Sequence, residues 1–197
     1  MHFFILYDKI RQNTRIFEGK MEFSNQIENI LEIALKNVNR EKLKKEAINL
    51  SKRYCEEERK NQSFISSKET ALAYAIIRMP ATYYAVKNVL KELKQRIEDD
   101  YYNIKTILDL GAGTGAATIA LKNEFTEAKI TCIEREKEMI RLGKEIISQM
   151  KMENIEWLQE DILQKGINQR ADLIIESYLT NEWKRRGYRK NIFTNTR

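Results

Sequence analysis

The segment from Ile107 to Gly115 (ILDLGAGTG) constrains the fold more than any other part of this sequence. It continues a short apolar run that is typical of a β-strand, and an alanine-rich stretch of helical character follows directly. Glycines at such a junction let the backbone turn sharply and approach a ligand with no side chain in between. A strand, a glycine-rich turn and a helix in this order predict a ligand-binding α/β unit.

The sequence after Asp100 alternates between strand-like and helix-like segments. The predicted strands are Ile104–Leu108, Ile130–Ile133, Ile155–Leu158 and Ala171–Ser177, and the predicted helices are Ala116–Leu121 and Lys137–Met150. This alternation is typical of βαβ units around a parallel sheet. We therefore predict an α/β fold class with a Rossmann-like domain over residues 101–182, and we expect Trp157 in its core.

Residues 21–100 are predicted to form a helical region. Their apolar side chains repeat at helical spacing over two stretches, Phe23–Val38 and Leu43–Tyr54, and Ser24 is the predicted cap of the first. We expect the boundary with the α/β domain in the charged stretch Lys94–Asp100. Residues 1–20 match neither period and are interpreted as an extension ahead of a natural start at Met21.

A further pair of helices is predicted around the single proline of the chain. Ser66 and Glu69 have the spacing of a capping box at the start of the first of these helices. Pro80 lacks a backbone N–H, so we expect it to end that helix and to begin the next. The residues that the second helix is expected to bury are Val86, Val89, Leu90 and Leu93.

Charge and cysteine content limit the classes of partner. The chain has 35 Lys and Arg against 29 Asp and Glu, a formal net charge of +6 that suits RNA but equally a lysine-rich surface. Cys55 and Cys132 are far apart and His2 is the only histidine, which argues against a zinc or iron–sulfur site. Unpaired cysteines fit a reducing cytoplasm, and no stretch has the length of a membrane span.

Asp109 distinguishes between the ligands that a glycine-rich turn could bind. Glycine spacing alone would also satisfy a loose dinucleotide fingerprint, but a carboxylate at this position would repel a pyrophosphate by ~1–4 kcal/mol, depending on screening. S-adenosylmethionine has no phosphate and carries an ammonium and a sulfonium group, so a nearby carboxylate is favourable. We therefore predict S-adenosyl-L-methionine as the cofactor, with dinucleotide binding as the disfavoured alternative.

Two more acidic residues follow predicted strand ends. Glu134 ends the second strand, where an acidic residue accepts hydrogen bonds from ribose hydroxyls. Asp161 follows the third strand, where it could bond the adenine amino group while Ile162 packs on the ring; both acids could instead be solvated loop residues. The predicted cofactor-binding residues are Asp109, Gly111, Ala112, Gly113, Gly115, Glu134, Asp161 and Ile162.

The stretch Tyr74–Val86 (YAIIRMPATYYAV), followed by a leucine-rich helix and the LDLGAGTG loop, resembles a known family. It is similar to the ribosomal small-subunit methyltransferase-like family of bacteria and mitochondria, within the class I S-adenosylmethionine-dependent methyltransferases. The resemblance runs from about Leu50 to Glu182. It implies association with the small ribosomal subunit or its rRNA, and so a role in translation, either as an rRNA methyltransferase or as an assembly factor.

The residues that would contact a substrate are less well defined. Arg78 could bind phosphate and Tyr74 could stack on a base, although an ion pair and a core position are equal alternatives. Tyr178 and Asn181 lie in the region where class I methyltransferases contact substrate. We name no catalytic residue, because the segment Glu176–Glu182 lacks the Asn/Asp-Pro-Pro-aromatic motif of base-amine methylases.

The resemblance is incomplete towards the C-terminus. The resembled fold has more strands than the four that can be placed here, and the sequence changes abruptly at Trp183 to a basic tail over residues 183–197. We therefore expect a C-terminally truncated member of the family, which also lacks the metal-binding cysteine cluster of mitochondrial relatives. A non-catalytic ribosome-assembly or RNA-binding factor that retains the cofactor pocket is the alternative function.

Overall fold

The structure is a computed structural model that describes residues 29–35, 38–55 and 65–177. The described residues fall into two compact units that divide between Ala81 and Thr82. The first unit is helical, and the second contains a parallel β-sheet with helices. The α/β, Rossmann-like class predicted from the sequence is confirmed.

The N-terminal unit begins with helical residues 29–35 (α1) and continues with α2 (Arg40–Cys55). Asn39 caps α2, since its side-chain oxygen accepts hydrogen bonds from the backbone N–H groups of Glu41 and Lys42, both at 3.0 Å. The apolar stripes predicted here are confirmed where the structure describes them, and their buried members are Ile30, Leu31, Ala34, Leu43, Ala47 and Leu50. Phe23, Ser24 and Tyr54 lie outside the described side chains.

Helix α3 (Lys68–Ile97) is capped by Ser67, so the predicted capping box on Ser66 is wrong by one residue. The Ser67 hydroxyl accepts from the backbone N–H of Thr70 at 3.2 Å, which satisfies one of the free amides of the first turn. Glu69 instead forms an ion pair with Lys42 of α2, with 3.1 Å between the charged atoms.

Pro80 lies inside α3, and the prediction that it ends a helix is wrong. An interior proline costs roughly 3 kcal/mol through the lost amide and the ring's clash with the preceding turn. One unbroken helix, however, keeps six apolar side chains on one stripe at alternating spacings of four and three residues. Burying each of them is worth about 1.5–3 kcal/mol, which outweighs the proline. These residues are Leu72, Ile76, Met79, Tyr83, Val86 and Leu90.

Val89 is a second correction on this helix, because 59% of its surface is exposed. It follows Val86 by three positions and precedes Leu90 by one. Consecutive residues are about 100° apart around a helix, and the buried stripe passes through Val86 and Leu90. Position 89 therefore lies at the border of the stripe, and the sequence pattern alone did not show on which side the stripe ends.

The α/β unit continues through a short 3-10 helix (Glu98–Asn103) into strand β1 (Thr106–Leu110). The remaining elements are α4 (Ala116–Glu124), β2 (Lys129–Glu134), α5 (Lys137–Gln149), β3 (Ile155–Gln159), α6 (Ile162–Lys165) and β4 (Leu173–Glu176). All strand pairs are parallel, and the order across the sheet is β3-β2-β1-β4. The carboxyl ends of the strands therefore lie along one edge of the sheet, where the glycine loop follows β1.

Residues of β1 alternate between the two faces of the sheet. Leu108 and Leu110 pack with Ile133 and Ile162 in one apolar cluster. Asp109 projects to the other face, where it meets α4. The strand thus supports a core on one side and holds an ionisable group in a fully buried position on the other.

Trp157 is half-buried and lies against glycines of two other elements. A Cβ atom added to Gly143 of α5 would come within 2.6 Å and 2.8 Å of the indole ring, and one added to Gly115 would be 3.5 Å from it. Gly143 therefore lets α5 approach β3 closely enough to hold the tryptophan beside the start of α4.

Candidate functional site at the carboxyl ends of β1 and β2

The glycine loop is tied to the neighbouring strand by its own backbone. Gly111, Gly113 and Gly115 have φ angles of 68°, 58° and 87°, a region that favours glycine. The N–H groups of Gly111 and Ala112 both donate to the carbonyl of Ile133, at 2.8 Å and 3.1 Å. The loop therefore has a fixed shape at the edge between β1 and β2.

Glu134 closes this loop from the end of β2. One of its carboxylate oxygens accepts from the N–H of Gly113 at 2.9 Å, and the other accepts from the N–H groups of Arg135 and Glu136 at 2.8 Å and 2.9 Å. Burial raises the pKa of Glu134, and these amides work in the opposite direction because they stabilise the charged form. A carboxylate has about four lone-pair positions, so one remains for a ligand hydroxyl.

Asp109 is 0% exposed, directly beneath the loop at the end of β1. Its Oδ2 accepts from the Thr118 hydroxyl at 2.6 Å, whereas its Oδ1 is buried and has no hydrogen-bond partner among the described residues. Burial raises the pKa of Asp109 to about 6; the Thr118 hydroxyl lowers it, and the charge of Glu134 raises it. A buried acceptor without a partner costs about 1–3 kcal/mol, so this oxygen is suited to a donor that a ligand brings.

The loop offers little to a phosphate group. The N–H groups of Gly111, Ala112 and Gly113 are taken by Ile133 and Glu134, and that of Gly115 donates to the carbonyl of Ala112 at 2.8 Å. Phosphate-binding loops instead direct free amides at their ligand. One buried acid (Asp109) and one half-buried acid (Glu134), beside a loop with four occupied amides, favour a ligand that carries positive charge and hydroxyl groups.

Asp161 and Ile162 have structural contacts in addition to the cofactor roles predicted for them. Asp161 caps α6, since its Oδ1 accepts from the N–H of Leu163 at 3.0 Å, and its Oδ2 lies 3.9 Å from the Arg135 guanidinium. Ile162 is buried in the apolar cluster of β1 and β2. The N–H of Glu160 also donates to the carbonyl of Glu134 at 3.0 Å, so the ends of β2 and β3 are held together.

Of the predicted substrate residues, the structure describes Tyr74 and Arg78. Tyr74 is half-buried and Arg78 is exposed, and both lie on the portion of α3 that belongs to the helical unit. Tyr178 and Asn181 lie outside the described residues. The Ser177 hydroxyl, which follows β4, is buried with no hydrogen-bond partner in the described structure.

Two residues beside Asp109 were missed by sequence reasoning. Thr118 was not considered, and Cys132 was considered as a possible metal ligand and not as a neighbour of Asp109. The available signal was the threonine nine positions after Asp109, inside the first turn of the helix that follows the loop. Because Asp109 and Cys132 are register partners on β1 and β2, the side chains of all three residues meet beneath the loop.

Residues 29–35, 38–55 and 65–177 contain no group of three or more His, Cys, Asp or Glu residues that could hold a metal ion. No helix in these ranges is long and apolar enough to cross a membrane.

Comparison with known families identifies the chain. Residues 68–196, which are 129 of the 197 residues, match the family described as "Mitochondrial small ribosomal subunit Rsm22". The chain belongs to the Rsm22 family. The family resemblance predicted from the sequence is thereby confirmed, and the match includes both the proline-containing part of α3 and the glycine loop.

Other similar proteins are methyltransferases. The release factor glutamine methyltransferase of Shewanella oneidensis is 34% identical over 71 residues, which cover 36% of this chain and 25% of that protein. Mitomycin 7-O-methyltransferase MmcR superposes with a TM-score of 0.50 at 17% identity, covering 60% of this chain and 33% of MmcR. An S-adenosylmethionine-dependent methyltransferase of Clostridium acetobutylicum superposes with a TM-score of 0.41 at 21% identity, covering 52% of this chain and 39% of that one.

The superposition on MmcR shows that the α/β unit has the Rossmann-like fold of a methyltransferase. The matched part spans about a quarter of the Shewanella enzyme and a third of MmcR. The chain is therefore S-adenosylmethionine-dependent-methyltransferase-like and a member of a ribosomal family.

Proposed function

We propose that the chain binds S-adenosyl-L-methionine at the carboxyl ends of β1 and β2 and methylates rRNA of the small ribosomal subunit. The observation that carries this proposal is a pair of carboxylates, the fully buried Asp109 and the half-buried Glu134, beside a loop in which four backbone amides are already occupied. Such a site suits a cofactor with cationic groups and a ribose, and it is unsuited to a pyrophosphate.

The described residues fit the cofactor group by group. The remaining acceptor position of Glu134 suits a ribose hydroxyl, and the unpartnered Oδ1 of Asp109 suits the ammonium group, directly or through a water molecule. Asp161 and Ile162 remain the proposed contacts of the adenine. When bound, S-adenosylmethionine supplies a methyl group on a sulfonium, and the chain's own contribution is to orient it and to exclude water.

The rRNA substrate is proposed from the family and from the charge of the chain. The Rsm22 family is described by its place on the mitochondrial small ribosomal subunit, and the net charge of +6 favours binding to phosphates. Tyr74 and Arg78 on α3, with Tyr178 and Asn181 after β4, are the proposed RNA contacts. We propose a cytoplasmic location, in keeping with the free thiol of Cys132.

A non-catalytic assembly factor is the second candidate function. The observation that favours it is the sequence after β4, Glu176 to Glu182, which has no proline and no recognisable catalytic group. On this hypothesis the bound cofactor would stabilise the fold while the chain binds the subunit without transferring a methyl group.

Cofactor binding is the first test. We expect isothermal titration to show micromolar binding of S-adenosylmethionine and no binding of NADH. Asp109→Ala should abolish the binding, whereas Glu156→Gln, which changes an exposed carboxylate on β3, should leave it unchanged. A well-folded protein that binds NADH, or neither ligand, would refute the proposed cofactor.

Methyl transfer is the second test. Purified small ribosomal subunits would be incubated with the chain and with S-adenosylmethionine that carries a tritiated methyl group. Label in protease-resistant rRNA supports the enzyme, and label in protein would replace rRNA as the substrate. Stable binding to the subunit with no label in either fraction would favour the assembly factor.

A further inference from the structure

Three buried side chains form a hydrogen-bonded chain beneath the glycine loop. The Thr118 hydroxyl donates to Oδ2 of Asp109 at 2.6 Å, and the hydroxyl oxygen of Thr118 lies 3.1 Å from the sulfur of Cys132. All three residues are 0% exposed. Thr118 comes from α4, Asp109 from β1 and Cys132 from β2, so the chain joins three elements of the α/β unit.

The direction of the hydrogen bonds follows from the number of protons available. A threonine hydroxyl has one proton, and the carboxylate oxygen of Asp109 can only accept it. The contact with Cys132 must therefore be donated by the thiol. Burial raises the pKa of the Cys132 thiol well above its usual range, so the sulfur retains the proton that it donates. The order of donation is Cys132 to Thr118 to Asp109.

This arrangement makes the two oxygens of Asp109 unequal. Oδ2 is engaged by Thr118, whose backbone N–H in the first turn of α4 also stabilises the carboxylate. Oδ1 is equally buried, and no group in the described part of the chain bonds to it. Because the thiol fixes the hydroxyl and the hydroxyl fixes Oδ2, rotation of the carboxylate is restricted and the same oxygen remains available.

We propose that Thr118 is the positioning residue of the cofactor site: its hydroxyl, oriented by the Cys132 thiol, holds Asp109 charged and reserves Oδ1 for a cationic group of the ligand. This inference rests on the proposed function for the identity of the ligand. The geometry of the three side chains is independent of that identity. Thr118 itself does not contact the ligand, so its effect is transmitted through Asp109.

Binding of the cofactor should depend on pH, because the charge of Asp109 does. The charged groups on the elements around this carboxylate are Glu134 at the end of β2, Glu176 at the end of β4, and Lys122 of α4. The ammonium group of Lys122 is directed at the carbonyl of Ala128, to which it donates at 2.9 Å, and not at the carboxylate. The hydrogen bonds from Thr118 are therefore the main stabilisation of the charged form of Asp109 against burial.

Thr118→Val removes the hydroxyl from a side chain of nearly the same size, and Thr118→Ser keeps it. A hydrogen bond to a charged group is strong enough that its loss should raise the pKa of Asp109 from about 6 to about 7 or above. If only the charged form binds, the Kd of Thr118→Val for S-adenosylmethionine should exceed that of the wild type about five-fold at pH 6 and hardly at all at pH 8. Protonation of the ligand affects both Kd values equally, so it cancels from their ratio when the two proteins are compared at the same pH.

The controls separate positioning from damage to the fold. Thr118→Ser should follow the wild-type pH profile, Cys132→Ala should change it less than Thr118→Val does, and Ile119→Val tests a buried change that leaves the chain of hydrogen bonds intact. If Thr118→Val does not fold, Thr118→Ala removes the same hydroxyl. A Kd ratio that is the same at pH 6 and pH 8, or a serine variant that behaves like valine, would overturn the proposal.

A ligand-free measurement distinguishes this proposal from the proposed function. Carbon-13 NMR titration of the Asp109 carboxyl, assigned by its loss in Asp109→Asn, should give a higher pKa in Thr118→Val than in the wild type or Thr118→Ser. An unchanged pKa refutes the positioning role even if the cofactor binds. A raised pKa in a protein that binds no S-adenosylmethionine supports the role of Thr118 and refutes the cofactor.

Discussion

The buried carboxylate of Asp109 should reduce the stability of the folded chain at neutral pH, and Asp109→Asn isolates this effect. Asparagine has almost the same shape and does not titrate. Its amide would place N–H groups where Oδ1 lies without a partner, which adds a cost of about 1–3 kcal/mol. That cost does not change with pH, so the change with pH in the stability difference between the two proteins reports only the titration of Asp109.

The sign and size of this pH-dependent stability difference follow from the pKa values of Asp109 in the folded and unfolded states. Burial raises the pKa of Asp109 from 3.8 to about 6, so between these values the folded state holds a proton that the unfolded state has lost. Stability falls with rising pH wherever the folded state binds more protons, and a pKa that moves from 3.8 to about 6 corresponds to about 3 kcal/mol. The wild type should therefore lose about this much relative to Asp109→Asn as the pH rises through this range.

Urea unfolding followed by circular dichroism, at pH values from 4 to 7.5, measures the difference directly. Asp172→Asn is the matched control of opposite sign: backbone hydrogen bonds from Lys105 and Thr106 lower the pKa of Asp172, so its contribution is lost as the pH falls. A difference between wild type and Asp109→Asn that stays constant from pH 4 to 7.5 would show that Asp109 is not desolvated as described.

Three further changes test the packing and the loop. Gly143→Ala should destabilise the α/β unit by about 1–2 kcal/mol in urea unfolding, because overpacking against the Trp157 indole exceeds the gain in helix propensity. In a Trp157→Leu background the same change should be neutral or stabilising. An equal loss of stability in both backgrounds would contradict the contact between Gly143 and the indole. Pro80→Ala should raise the free energy of unfolding by about 1–3 kcal/mol, since alanine restores the amide inside α3. A lower free energy of unfolding in this variant would argue against a continuous helix. Glu134→Gln should weaken S-adenosylmethionine binding at least about ten-fold, because glutamine replaces one acceptor oxygen by an NH2 group. The side chain can then no longer accept hydrogen bonds from all of these backbone N–H groups and from a ribose hydroxyl. A Kd that titration calorimetry finds unchanged would exclude Glu134 from the site.

The order of elements in the α/β unit could be predicted from the sequence because its signals are local. Alternating apolar runs defined the four strands to within a few residues, and the glycines of the loop after Leu110 adopt the positive φ angles that favour glycine. The acidic residues Asp109 and Glu134 could be placed at one edge, since parallel strands present their carboxyl ends together.

Interactions between distant residues could not be predicted in this way. The sequence shows Pro80 as a helix breaker, but the tertiary structure buries a stripe on both sides of it, and that burial exceeds the local cost. Glu134 is recognisable as an acid after a strand, yet only the folded chain directs the amide of Gly113 at it.

The sequence by itself determined the family and the parallel α/β architecture, and it indicated the place now proposed for the ligand, because each depends on residue types within a short span of chain. Only the tertiary structure decided how Asp109 is held, since Thr118 reaches it from a helix and Cys132 contacts Thr118 from the neighbouring strand. A hydrogen bond depends on distances of about 3 Å between atoms, and those distances exist only after the sheet and α4 have packed.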